Sequence, residues 1–125
     1  MPTTHFINGQ WIEGQGASIA STDPAKNHVF WQGNAASAEQ VNDAVNAART
    51  ALPAWSALTV EARLAIIKQY GELLAANKPE LAALIAQETG KPLWETATEV
   101  AAMIGKIGIS EKAYFERTGT VENAM

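Results

Sequence analysis

Short apolar runs with a two-residue alternation fill the first quarter of the chain, and a helical period of apolar positions takes over from Ser37. His5-Phe6-Ile7 and Gln10-Trp11-Ile12 flank Asn8-Gly9. Asn-Gly between β-prone runs predicts a two-residue type I′ hairpin, because both turn residues must accept positive φ. Gly14 and Gly16 interrupt the pattern. A second strand pair is expected for residues 17–21 with 28–31, around Asp23-Pro24-Ala25-Lys26-Asn27, where Pro presets one turn angle and Asp or Asn caps the turn.

Ser37-x-x-Gln40 reads as a capping box opening the first helix, whose apolar positions Val41, Ala44, Val45, Ala48, Leu52 and Trp55 keep a 3.6 period. Pro53 lacks an N–H and is expected to end or kink that helix just before it. A second helix starts from Thr59, with Val60, Leu64, Ile67, Leu74 and either Tyr70 or Gly71 on one stripe. Asn77-x-x-Glu80, with Pro79 in the first turn, predicts a third helix from about Lys78. Leu81, Leu84, Ile85 and Glu88 carry it to Gly90, a residue suited to the left-handed position after a helix, and Pro92 prevents continuation. The last helix is expected over residues 93–117. It presents Ala97, Ala101 and Gly105 at four-residue spacing, with Gly108 near the same face. Each interior glycine costs about 0.8–1 kcal/mol relative to Ala, so packing against another element is expected to compensate, although no earlier segment is an obvious partner. Val100, Met103, Ile104 and Ile107 occupy the other side, and a helix apolar nearly all round belongs inside something larger.

The chain has 125 residues, the length of one domain. Nine Lys and Arg against 13 Asp and Glu leave a net charge of −4, which argues against nucleic acid as a partner. Hydrophobic residues at 47% and charged residues at 18% give a globular balance. Cysteine is absent, which removes disulfides, thiolate metal sites and cysteine nucleophiles. The start has no basic stretch followed by an apolar core, and the most apolar stretch, residues 100–109, is short and contains Lys106; a cytoplasmic protein without a membrane span is expected.

No catalytic, cofactor or metal set emerges from spacing. His5 and His28 lie 23 residues apart with no cluster of ligands around either. Gly14-Gln15-Gly16-Ala17-Ser18-Ile19 begins like a dinucleotide loop, but Ile19 replaces the third glycine and no helix pattern follows. Glu88-Thr89-Gly90-Lys91 resembles the end of a Walker loop, yet Ile85 and Pro92 stand where glycine and a hydroxyl residue belong. Glu95 and Glu99, one turn apart, could form an acid/base pair; charge balance with Lys91 and Lys106 is the better reading. Trp11, Trp31, Trp55 and Trp94 read as core or interface residues, since no basic groove accompanies them.

Taken in order, Ile7-Asn8-Gly9-Gln10-Trp11, Asp23-Pro24-Ala25, Ala48-Arg49-x-Ala51-x-Pro53-x-Trp55, Glu61-x-Arg63 and Glu88-Thr89-Gly90-Lys91-Pro92 resemble the N-terminus of the aldehyde dehydrogenase superfamily across nearly all of the chain. Phe30-Trp31-Gln32-Gly33-Asn34, Trp94-Glu95-x-Ala97-Thr98-Glu99-Val100 and Lys112-Ala113-Tyr114-x-x-Arg117-Thr118-Gly119 draw the resemblance toward one bacterial branch. It implies an α+β segment with short N-terminal antiparallel strands and then about four helices, β-rich over 5–31 and helical over 37–117. Residues 1–125 would be an incomplete N-terminal part, the outer part, of a Rossmann-like NAD-binding domain. The catalytic and most of the oligomerisation regions would be absent.

The implied reaction uses NAD: a cysteine thiolate attacks an aldehyde, hydride leaves to the nicotinamide, and a glutamate activates water to hydrolyse the thioester. The family's residues for these steps would all lie downstream, so the segment alone is expected to be inactive and to bind no NAD. The parent would be a homo-oligomer taking a small aldehyde. Family members line part of the substrate tunnel with the last helix, which makes Glu99, Met103 and Lys106, at spacings of four and three, the tunnel candidates, with Lys106 or Arg117 meeting a substrate carboxylate. The rival reading, from a different class, is a stand-alone helical interaction module that binds a partner through the apolar faces of its last two helices.

Overall fold

The computed structural model describes residues 4–119, so the ends of the 1–125 expectation lie outside the described residues. Four strands precede four helices: β1 (His5–Ile7), β2 (Gln10–Ile12), β3 (Ser18–Asp23), β4 (His28–Asn34), α1 (Ala38–Ala57), α2 (Val60–Ala76), α3 (Lys78–Thr89) and α4 (Leu93–Arg117). Length alone suggests one domain, but the contacts divide into two compact units. A hairpin unit holds the residues up to Thr59 together with Gln87–Gly90, and a helical unit holds Val60–Ala86 with the residues from Lys91 onward.

In the hairpin unit, β1 and β2 pair antiparallel with His5 opposite Ile12 and Ile7 opposite Gln10. The turn between them has Asn8 at φ 51° and Gly9 at φ 77°, as a type I′ connection requires. Phe6 and Trp11 face each other across the pair with ring centroids 5.3 Å apart.

The second pair is longer than expected, Ser18–Asp23 with His28–Asn34. At the turn end, Asp23 Oδ1 accepts hydrogen bonds from Ala25 N and Lys26 N at 2.9 and 3.1 Å. Asn27 N donates to Asp23 O at 2.8 Å from a φ of 52°, so pairing starts directly beside the turn, with Asp23 opposite His28. At the other end Gly33 leaves room for the Trp31 ring, which a Cβ would meet at 2.7 Å, and the ladder runs on to Asn34.

Ser37 caps α1 as the sequence indicates: its Oγ accepts from Gln40 N at 3.2 Å, and Gln40 Oε1 accepts from Ser37 N at 3.0 Å. The same Gln40 carboxamide also accepts from Gln15 N at 2.9 Å and donates to Glu13 O at 2.8 Å. One buried side chain thus closes the helix start and fastens the β2–β3 link to it.

Pro53 does not end α1, which runs four residues further to Ala57. Proline forfeits one hydrogen bond, to the carbonyl four residues back; the turn beyond it is closed by Ser56 Oγ donating to Pro53 O at 3.1 Å and Leu58 N donating to Trp55 O at 3.3 Å.

In the helical unit, α4 packs along α2. An earlier partner that the sequence left unidentified is therefore α2, and the tight approach between them is made at Gly71 rather than at Gly105 or Gly108. A Cβ at either of those glycines would meet nothing within 4 Å, whereas a Cβ at Gly71 of α2 would come within 2.7 Å of Ile107 Cδ1. Of the two stripe alternatives, Gly71 is buried and Tyr70 is 54% exposed. Leu74, Ala82 and Val100 are the buried apolar side chains among the described residues. Thr96, fully buried, donates its Oγ1 proton to Ala82 O at 2.8 Å and so ties α4 to α3.

The expected cap at the start of α3 is replaced. Asn77 Nδ2 donates backward to Leu73 O at 2.8 Å and finishes α2, which leaves the first turn of α3 to Pro79, whose missing N–H needs no partner there. Gly90 does close α3, at φ 74°. Leu93, Trp94, Ile109 and Phe115 of α4 remain 58–73% exposed, so the apolar circumference read from the sequence is real and only partly covered. No helix among the described residues is long and apolar enough to cross a membrane.

Candidate functional site

The 3.6 period puts Val60, Arg63, Leu64, Ile67 and Tyr70 along one side of α2. It puts Met103, Lys106, Ile107, Ser110, Glu111 and Tyr114 along one side of α4. Where the two helices pack, these stripes line a groove of about 460 Å³ within the helical unit. Its walls are mostly aliphatic and aromatic, with the Arg63 guanidinium, the Lys106 ammonium and the hydroxyls of Ser110, Tyr70 and Tyr114 set among them. Such a lining suits a ligand with an apolar stem and an anionic end.

The charges in the groove are not equivalent. Glu111 is neutralised by Lys68 Nζ at 2.9 Å, a pair exposed enough to add little stability. Arg63 and Lys106 have no ion-pair partner among the described residues. The groove therefore keeps a positive balance although the chain as a whole is acidic.

Two of the three tunnel candidates, Met103 and Lys106, stand in this lining. Glu99 does not. Lys91 is hydrogen-bonded and ion-paired to Glu99, and its Nζ lies 3.8 Å from Glu95 Oε1. The hydrogen bond and charge of Glu99, followed by the charge of Glu95, hold the Lys91 ammonium above its ordinary pKa. One lysine thus holds both carboxylates, which agrees with charge balance and leaves no acid/base pair; Lys106 takes no part. Arg117, in the last turn of α4, lies outside the groove lining. Arg63, Tyr70 and Ser110 join the groove without having been singled out as site residues. Period alone puts each on a helix face but does not say which faces meet.

The glycine pair at 14 and 16 does not fit a dinucleotide. A Cβ on Gly14 would stand 2.2 Å from Asn34 O and 2.5 Å from Ala35 O, and Gly16 N donates to Ala35 O at 2.7 Å. The chain's own backbone fills the space that a pyrophosphate would need, and strand β3 follows instead of a helix. Gly90 closes a helix, whereas phosphate loops open one. His5 Nε2 lies 3.0 Å from Asn34 O as a link between strands, and no group of three metal-ligating residues forms among the described residues.

The described residues thus form a hairpin-led segment whose helices carry uncovered apolar faces and a lined groove. The family model described as the aldehyde dehydrogenase family matches residues 11–124, and the chain belongs to that family. Solved structures carry the same fold. An NAD-dependent benzaldehyde dehydrogenase from Corynebacterium glutamicum is 26% identical, with a TM-score of 0.86, over 98% of this chain and 27% of that one. An NADP-dependent glyceraldehyde-3-phosphate dehydrogenase from Bacillus halodurans C-125, complexed with NADP, is 26% identical with a TM-score of 0.87, over 96% of this chain and 25% of that one. A succinate-semialdehyde dehydrogenase from Burkholderia pseudomallei is 27% identical with a TM-score of 0.82, over 94% of this chain and 25% of that one. The chain spans about a quarter of the length of the structures it matches.

Proposed function

We propose that these residues are the incomplete N-terminal part of the NAD-binding domain of an aldehyde dehydrogenase. Its substrate would be N-succinyl-L-glutamate 5-semialdehyde, oxidised to N-succinyl-L-glutamate in bacterial arginine catabolism. The parent is a cytoplasmic homo-oligomer using NAD, with no role for nucleic acid or a membrane. Family membership supports the oxidoreductase reading over a stand-alone interaction module. The finer substrate rests on the Phe30–Asn34, Trp94–Val100 and Lys112–Gly119 motifs and on one structural observation: Lys106 and Met103 share a groove that combines apolar walls with positive charge that has no ion-pair partner among the described residues. A semialdehyde that carries carboxylates offers that groove a stem and an anion. Met103 contacts the stem and Lys106 the carboxylate, while Glu99 serves to hold Lys91.

In the full-length enzyme, Lys106→Ala is expected to raise KM for the succinylated semialdehyde about tenfold, the worth of one hydrogen bond to a charged group, with KM for a neutral aldehyde unchanged. Steady-state kinetics on both substrates decide it, and an unchanged KM for the succinylated substrate removes Lys106 from recognition. The 125 residues alone are expected to reduce no NAD with any aldehyde, because the chain has no cysteine to form a thiohemiacetal. NADH appearing in proportion to the purified chain would overturn that assignment.

A further inference from the structure

We infer that Asn8 is a site of spontaneous chemical modification, deamidating through attack by the backbone nitrogen of Gly9. The Gly9 nitrogen, losing its proton to base, forms a bond to Asn8 Cγ and expels ammonia, which leaves a five-membered succinimide. Water then adds to either ring carbonyl, and the ring opens to aspartate or to isoaspartate. The net change is carboxamide plus water giving carboxylate plus ammonium, so no oxidant, metal or enzyme is needed. Asparagine is among the thermolabile residues for this reason.

Three observations single out this asparagine. Asn8 and Gly9 are both exposed at the tip of the β1–β2 hairpin. The position that a Cβ on Gly9 would occupy has no atom within 4 Å, so the turn is open on that side. Neither the Asn8 side chain nor the Gly9 N–H has a hydrogen-bond partner among the described residues.

The other described asparagines lack this combination. Each is followed by a residue with a side chain, namely His28, Ala35, Asp43, Ala47 and Lys78. Asn77 spends its amide on Leu73 O, Asn34 is half-buried, and Asn42 and Asn46 sit in the regular backbone of α1. The product alters the hairpin in two ways. A carboxylate adds one negative charge at the tip, and the isoaspartate form adds a methylene to the backbone of a turn that sets the register of two three-residue strands.

The test uses the whole chain incubated in warm, mildly alkaline buffer and then digested with trypsin. Residues 1–26 form one tryptic peptide in which Asn8 is the only asparagine. That peptide is expected to gain about one dalton before any other asparagine-bearing peptide does, and to become a methyl acceptor for an isoaspartate-specific carboxyl methyltransferase. Asn8→Gln keeps an amide but cannot form the five-membered ring, and should lose both signals. The inference fails if residues 1–26 keep their mass while the peptide bearing Asn27 and Asn34 gains. It fails equally if the Asn8→Gln chain gains mass at the wild-type rate.

Discussion

Replacing Gln40 by Met should destabilise the hairpin unit by about 3 kcal/mol, far more than an exposed residue of α1 would. Met preserves the length of the side chain and removes its polar atoms. Gln15 N and Ser37 N then lose their shared acceptor, and Glu13 O loses a donor at 2.8 Å. Each partly buried group left without its partner costs about 1–3 kcal/mol, and the capping box is lost with it. Amide hydrogen exchange reads the effect locally: the Gln15 and Ser37 amides should lose protection while amides of the helical unit keep theirs. Wild-type protection at Gln15 in the variant would show that the carboxamide does not bear this role.

Val100→Asp should abolish the cooperative unfolding of the helical unit. Val100 is fully buried, beside a core of only Leu74 and Ala82 among the described residues. A carboxylate there either ionises without a partner or is forced neutral, and either route costs several kcal/mol, on the order of the whole stability of a small unit. Val100→Thr, which keeps the shape and adds one hydroxyl, should cost only about 1–3 kcal/mol, which separates loss of packing from burial of charge. Thermal melting followed by circular dichroism compares the two, and equal melting temperatures for Val100→Asp and wild type would refute the placement of this side chain.

What the sequence made legible was local. Asn8-Gly9 specified its turn through φ, Ser37 and Gln40 specified a cap through reciprocal hydrogen bonds, and Gly90 and Pro92 fixed the break between α3 and α4. Pro53 did not end α1 because a proline's cost depends on whether the turn beyond it can close by other bonds, as it does at Ser56 and Leu58. The glycines of α4 were legible only as a face. Their spacing does not show which element meets them, and the close approach between α2 and α4 is made at Gly71.

The groove was only half legible. Met103 and Lys106 could be placed on a face, but Arg63 and Tyr70 lie more than 30 positions earlier and join them only once α2 and α4 are paired. Glu99 shares the spacing of that face, yet its carboxylate is committed to Lys91. The chemistry of the reaction was illegible here in a different sense. A chain without cysteine contains no thiolate to find, and it spans about a quarter of the length of the structures it matches.

The contact between Gly71 and Ile107 has a consequence for how these two positions can vary. With 2.7 Å between a would-be Cβ and Ile107 Cδ1, a methyl gained on α2 is accommodated by Ile107 turning its terminal methyl aside. Ala at 71 fits without that turn if residue 107 shortens to Val, whereas with Ile kept the displaced methyl alters the groove lining to which Ile107 belongs. Position 71, which carries no side chain, therefore governs how the Ile107 side chain sits beside the groove.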